Sequence, residues 1–177
     1  MRSRGIGVAL VVTGGALEIA RIVITQLVLP SIAASPLIVA LVSLTPSLLI
    51  AIGAMVVGTS YRARGRLGFM IAGASGMLFV AVNGIQILLD SPLGPAPSLL
   101  ASALAFAATG AGAALLLADR TVRTPDRWAL AIPAGCMVLF ALCIIIVPWD
   151  VLLAIPAVGY IFGGFQVLRS AKGITSP

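Results

Sequence analysis

Hydrophobic residues form six long runs along the chain, and short polar or proline-rich segments separate them. The runs cover residues 6–29, 37–59, 67–89, 98–118, 128–147 and 151–168. A helix that crosses a bilayer needs roughly 20 consecutive apolar residues, and each run approaches or exceeds that length. The pattern predicts an all-α membrane protein, a six-transmembrane-helix bundle made of three consecutive hairpins. We expect one integral membrane domain over residues 1–177.

The composition agrees with this class. Hydrophobic residues make up 60% of the chain and charged residues only 9%, whereas a soluble domain carries about 25% charged residues. The net charge is +6, but the basic residues lie in short clusters between the runs. We therefore expect no nucleic acid partner. The expected partners are the lipid bilayer and, as further candidates, other membrane subunits or a second copy of this chain.

The basic residues mark one side of the predicted bundle. Lysine and arginine lie before the first run, in the segments 62–66 and 120–127, and after the sixth run. The three other connecting segments contain only Asp90 and Asp150 as charged residues. Because cytoplasmic segments are enriched in lysine and arginine, this asymmetry predicts six crossings with both termini in the cytoplasm. We expect a multi-pass protein of a bacterial inner (plasma) membrane.

Two opposite charges, Glu18 and Arg21, lie in the middle of the first run. A charged side chain at the centre of a membrane helix costs about 2.5–3.5 kcal/mol on insertion scales. A spacing of three residues places both side chains on one helix face, where they can neutralise each other. Two interpretations remain open. The pair either fixes the first helix in the bundle, or it forms a ligand or proton site with its counter-ion.

Other polar residues lie at the depth of this pair in the predicted topology. Thr25 follows Arg21 by one turn, and three polar residues near the end of the third run recur at spacings of three and four. The opposite halves of the helices consist mainly of Gly, Ala, Leu and Val. We therefore expect a polar cavity that faces outward. The predicted ligand-binding residues are Glu18, Arg21, Thr25, Asn83, Gln86 and Asp90.

Enzyme chemistry has little support in the sequence. The segment Gly73–Gly76 has the Gly-x-Ser-Gly form of intramembrane serine proteases of the rhomboid family, but their mechanism pairs the serine with a histidine, and this chain has none. Histidine is also the commonest general base and metal ligand. No phosphate-binding glycine loop or metal-ligand motif is visible. We expect no enzymatic activity, catalytic residue, cofactor or metal site.

Two functions from different classes remain. The first is a transporter, channel or ligand-binding subunit whose outer cavity takes a small polar or anionic ligand, with Arg21 attracting an anionic or dipolar group. The alternative is a structural or accessory membrane subunit whose polar residues only fix helix packing. Interhelical hydrogen bonds in membranes contribute about 0.6 kcal/mol each on average. Such bonds explain isolated polar residues better than they explain polar stripes on two helices, which favours the first function.

Overall fold

The computed structural model describes residues 2–27, 35–89, 96–143 and 152–171. Over these ranges the chain forms six α-helices and no strand. They are α1 (Arg2–Leu27), α2 (Pro36–Gly58), α3 (Ala63–Leu89), α4 (Ala96–Ala118), α5 (Thr124–Cys143) and α6 (Ala154–Ala171). Helices α1 to α5 are long and apolar enough to cross a membrane. The protein is thus all-helical, with the length and composition of a multi-pass membrane protein.

Several helices begin earlier than the hydrophobic runs predict. Helix α1 begins at Arg2 instead of residue 6, α3 at Ala63 instead of residue 67, and α5 at Thr124 instead of residue 128. Hydropathy identifies only the part of a helix that is apolar enough for lipid, while backbone hydrogen bonding continues into the polar boundary. The predicted ends at residues 28–29 and 144–147 lie outside the described ranges.

Helix α6 differs from the prediction at both ends. It begins at Ala154 and continues to Ala171, whereas the hydrophobic run suggested residues 151–168. Pro156 is its third residue, a position in the first turn where proline removes no intrahelical hydrogen bond. The polar residues after Leu168 extend the helix because its last turn packs against other elements, as shown by the contact of Ser170 described below.

The six helices form a closed ring. Each helix contacts its neighbours in the sequence, and α6 returns to contact α1. Neighbouring helices are antiparallel: Gly7 of α1 lies against Val57, near the end of α2, while Gly14 lies against Pro46 in its middle. The starts of α1, α3 and α5 therefore lie together with the ends of α2, α4 and α6. We call this the basic end, and the other the opposite end.

Glycines bring the helix backbones close together near the basic end. A Cβ atom on Gly112 of α4 would lie 2.5 Å from the carbonyl oxygen of Gly68 in α3, and one on Gly53 would lie 2.7 Å from that of Gly7. Small residues allow such close approach in lipid, where packing drives helix association. The buried apolar core lies in the same half, and it includes Val8, Val57, Phe69, Leu116, Leu130 and Val167.

Large apolar side chains cover the outside of the ring. Leu41, Leu100 and Leu142 are 58%, 63% and 67% exposed, respectively. A contiguous apolar exterior of this kind is uncommon on a protein that faces water and suits contact with lipid acyl chains. Most polar and charged groups of the described residues lie in the interior or at the two ends.

Candidate functional site

A cavity of about 260 Å³ lies inside the ring, in the half away from the basic end. All six helices contribute lining residues, and so does the turn directly before α6. Most of the wall is apolar and includes Phe79, Phe106 and Met137. The polar lining residues among those described are Glu18, Arg21, Ser43, Ser47, Asn83 and Tyr160.

Glu18 and Arg21 form an ion pair on the cavity wall. The Arg21 Nη2 atom donates to Glu18 Oε1 at 2.6 Å, and Arg21 Nε lies 3.2 Å from both carboxylate oxygens. Each side chain is 14% exposed. The ion pair that the three-residue spacing predicted is therefore present. Within the described part of the chain, no acceptor contacts the third nitrogen of the guanidinium, Nη1.

The remaining polar groups of the wall make few bonds to neighbouring helices. The Asn83 side-chain amide donates to the carbonyl of Phe79 in its own helix at 2.8 Å. The hydroxyls of Ser43 and Ser47 have no hydrogen-bond partner among the described residues. Thr45, which lies between them in α2 but does not line the cavity, donates to the carbonyl of Leu41 at 2.6 Å. The two serine hydroxyls are free to bond water or a ligand.

The six predicted ligand-binding residues are distributed over different environments. Glu18, Arg21 and Asn83 line the cavity, whereas Thr25 and Gln86 are not among its lining residues. The Thr25 hydroxyl donates to the carbonyl of Ile22 at 3.0 Å. Gln86 accepts a hydrogen bond from the Ser98 hydroxyl, which links α3 to α4. The sixth residue, Asp90, lies outside the described ranges.

Three polar lining residues were not among the six predicted ligand-binding residues. Ser43 and Ser47 are four residues apart in α2 and so share a helix face, a spacing that could have identified them. The third, Tyr160, lies alone in an apolar stretch of α6, and no sequence pattern assigns it to the cavity. Its place depends on how α6 packs in the ring.

Tyr160 lies at the floor of the cavity. It also lines a second void of about 20 Å³ on the side of the basic end, and its side chain lies near the buried Thr109 of α4. Tightly packed apolar side chains form the rest of the wall of that void: Val8 is 1% exposed, and Val57 and Val167 are each 2% exposed. The cavity is therefore closed toward the basic end.

A second ion pair lies at the basic end. The Arg4 Nη2 atom is 2.5 Å from Asp126 Oδ1, and the Asp126 side chain is 3% exposed. Arg4 also donates to the carbonyl of Val167 at 3.1 Å, and its guanidinium carbon lies 5.4 Å from the centre of the Tyr61 ring. This one side chain thus joins α1 to α5, to α6 and to the turn between α2 and α3.

Further hydrogen bonds hold the turns at the basic end. Asp119 accepts from the backbone and the hydroxyl of Thr121 through Oδ1, and from the N–H of Gly65 in the first turn of α3 through Oδ2. These donors, those of Thr121 above all, hold the pKa of the Asp119 carboxyl below its usual value. Burial, reinforced by the nearby Asp126 carboxylate, raises the pKa of Tyr61. Arg123 donates to the carbonyl of Ser170 in α6 at 3.0 Å.

The described residues contain no cluster of three or more His, Cys, Asp or Glu side chains that could hold a metal ion. What the site offers instead is an ion pair, two unpaired hydroxyls and an amide, set in an apolar wall. No family model, curated protein or solved structure matches this chain.

Proposed function

We propose that this protein binds a small ligand with a polar or anionic group in the cavity, and that it acts as a transporter, channel or ligand-binding subunit without enzymatic activity. In this proposal the basic end faces the cytoplasm of a bacterial cell, and the cavity lies on the outer side of the plasma membrane. Glu18, Arg21 and Asn83 would contact the ligand directly.

The observation that carries the proposal is that the two serines and the asparagine of the cavity wall, on α2 and α3, are not used to join helices. Ser43 and Ser47 have no partner among the described residues, and Asn83 bonds within its own helix. Ser43 and Ser47 are partly exposed, and a hydroxyl closed off from water without a partner would cost about 1–3 kcal/mol, so residues retained only for packing would be expected to bond across to a neighbour. Groups left unpaired around a void suit a ligand or water instead.

The composition of the wall limits the ligand. Binding sites for small molecules are mainly apolar, with a few polar groups that fix the orientation, and their volumes are about 300–1,000 Å³. This cavity, at about 260 Å³, is near the lower limit. A ligand would place its polar group beside Arg21 and its apolar part against Phe79 and Phe106.

The proposed orientation depends on the distribution of arginine. Four arginines are exposed at the basic end: Arg62 in the α2–α3 connection, Arg64 in the first turn of α3, and Arg120 and Arg123 in the α4–α5 connection. Arginine-rich connections of this kind are typical of the cytoplasmic side. Glu18 and Arg21 would then lie in the outer half of the membrane.

A structural or accessory role is the second candidate, and one observation favours it. Gln86 accepts from Ser98 of the neighbouring helix, which is the kind of bond that fixes helix packing. On this view the cavity would be a dry packing defect, and the protein would act through contacts with another membrane protein.

Labelling of single cysteines in intact cells can separate the two functions. With Cys136 and Cys143 replaced by alanine, we expect Ser47→Cys to react with a membrane-impermeant maleimide added from outside. The control Thr109→Cys should not react, because Thr109 is only 1% exposed and is not among the residues that line the cavity. Arg64→Cys should react only after the membrane is permeabilised.

Two results would contradict the proposal. If Ser47→Cys stays unlabelled while a cysteine at Ser35 is labelled, the cavity is closed to water, and the structural role is favoured. If Arg64→Cys reacts from outside in sealed cells, the proposed orientation is wrong.

A further inference from the structure

The charges of the cavity wall cancel each other. Glu18 and Arg21 are the two charged residues among the described residues that line the cavity, and they are in direct contact at 2.6 Å. The rest of the described wall consists of apolar residues, two serines, one asparagine and one tyrosine. A ligand therefore meets an apolar chamber with a strong local dipole and no net charge.

The Glu18–Arg21 pair leaves both hydrogen-bond donors and a hydrogen-bond acceptor unused. Glu18 engages Nε and Nη2 of Arg21, so both hydrogens on Nη1 and one on Nη2 have no acceptor in the described ranges. Glu18 Oε2 receives a single contact at 3.2 Å, and a carboxylate oxygen can accept more than one hydrogen bond. Donors and an acceptor are thus available side by side.

An anionic head would fit this arrangement poorly. A free carboxylate bonded to Arg21 would compete with Glu18 for the same guanidinium, and the two anions would repel each other across a few ångströms. The apolar remainder of the wall offers little to replace the water that the anion loses. A cationic head bonded to Glu18 would meet the same difficulty with Arg21.

We infer that the ligand of this cavity is an electrically neutral molecule with one head group that both accepts from Arg21 and donates to Glu18, attached to an apolar body. A primary carboxamide is a compact head of this kind, since its oxygen accepts and its nitrogen donates. This inference rests on the proposed function. Of the polar and anionic ligands named there, it selects those that are uncharged and dipolar.

Three probes of similar shape test the inference on the purified full chain in detergent. They are cyclohexanecarboxamide, which is neutral, cyclohexanecarboxylate, which is anionic, and cyclohexylmethylammonium, which is cationic. By calorimetry at pH 7 we expect the carboxamide to bind at least about tenfold more tightly than either ion, since an ion loses more hydration on entering an apolar site. A carboxylate that binds as tightly as the carboxamide would overturn the inference.

A change of the wall charge sharpens the test. Glu18→Gln leaves Arg21 without its counter-ion, so the preference should reverse and the carboxylate should bind more tightly than the carboxamide. Thr25→Val is the matched control. It lies one turn from Arg21 on the same helix, but its hydroxyl bonds to Ile22 of its own helix, and the ranking of the probes should stay the same.

The outcomes also separate this inference from the proposed function. If no probe binds to a folded protein whose Ser47→Cys variant is labelled from outside, the cavity is accessible and only the neutral ligand class is overturned. If Ser47→Cys is not labelled either, both fail. If Glu18→Gln does not fold, the ranking of the three probes on the unaltered protein decides alone.

Discussion

The half of the ring at the basic end and the half that contains the cavity each have an arginine–carboxylate pair, but only the first pair joins two helices. Arg4 and Asp126 are 122 residues apart and join α1 to α5. Glu18 and Arg21 are three residues apart in one helix. The first pair closes the basic end with further contacts to Val167 and Tyr61. The second lies on the wall of a cavity.

The role of an arginine–carboxylate pair depends on whether its two residues come from one helix or from two. Charges from two helices hold those helices together, and the space between them is filled. Charges from a single helix neutralise each other locally, so no neighbouring helix has to supply a counter-ion. The ring can then leave a void beside the pair. Glycine contacts reinforce the contrast, since Gly68 and Gly112 bring two backbones together in the closed half.

The largest expected effect on stability concerns the Arg4–Asp126 pair in the half at the basic end. Asp126→Ala leaves the Arg4 guanidinium without a carboxylate partner, and breaking a buried ion pair costs about 3–5 kcal/mol. The free energy of unfolding, measured by SDS titration in bicelles, should fall by that amount. The double variant Arg4→Ala with Asp126→Ala should be more stable than Asp126→Ala alone. If Asp126→Ala is as stable as the unaltered protein, the pair does not hold this half together.

An intermediate effect is expected at the glycine contact between α3 and α4. Gly112→Ala places a Cβ atom 2.5 Å from the Gly68 carbonyl oxygen, and such overpacking costs about 1–3 kcal/mol. The control Gly110→Ala meets nothing within 4 Å, and it should stabilise the helix by about 0.5–1 kcal/mol. Thermal unfolding of both variants in one detergent measures the difference. Equal effects would show that the helices are not in close contact there.

The smallest expected effect on stability concerns the Glu18–Arg21 pair on the cavity wall. Glu18→Ala removes the partner of Arg21, but that guanidinium borders the cavity, and we expect a loss of about 1–2 kcal/mol in the free energy of unfolding. Glu18→Ala with Arg21→Ala should be more stable than Glu18→Ala alone, because the double variant leaves no unpaired charge. The same SDS titration applies. A loss as large as that of Asp126→Ala would remove the distinction between the two pairs.

The predictable features are those set by short stretches of sequence. The helical class follows from the hydrophobic runs, and the Glu18–Arg21 pair follows from a spacing of three residues on a helix. Asn83 was named from the stripe it forms with Gln86, yet the two side chains have different surroundings: Asn83 lines the cavity, and Gln86 bonds to Ser98. A stripe on one helix fixes which residues share a face, but not which part of that face a neighbour covers.

The sequence by itself determined an all-helical chain with apolar membrane-length segments and one ion pair within a helix. Hydropathy and helical spacing act within a single element, so they need no knowledge of its neighbours. Only the tertiary structure decided that α6 closes the ring on α1, that Arg4 meets Asp126, and that Tyr160 forms the cavity floor. These contacts depend on which faces of different helices meet, and that is settled by the packing of the whole ring, with small residues setting the distance between backbones.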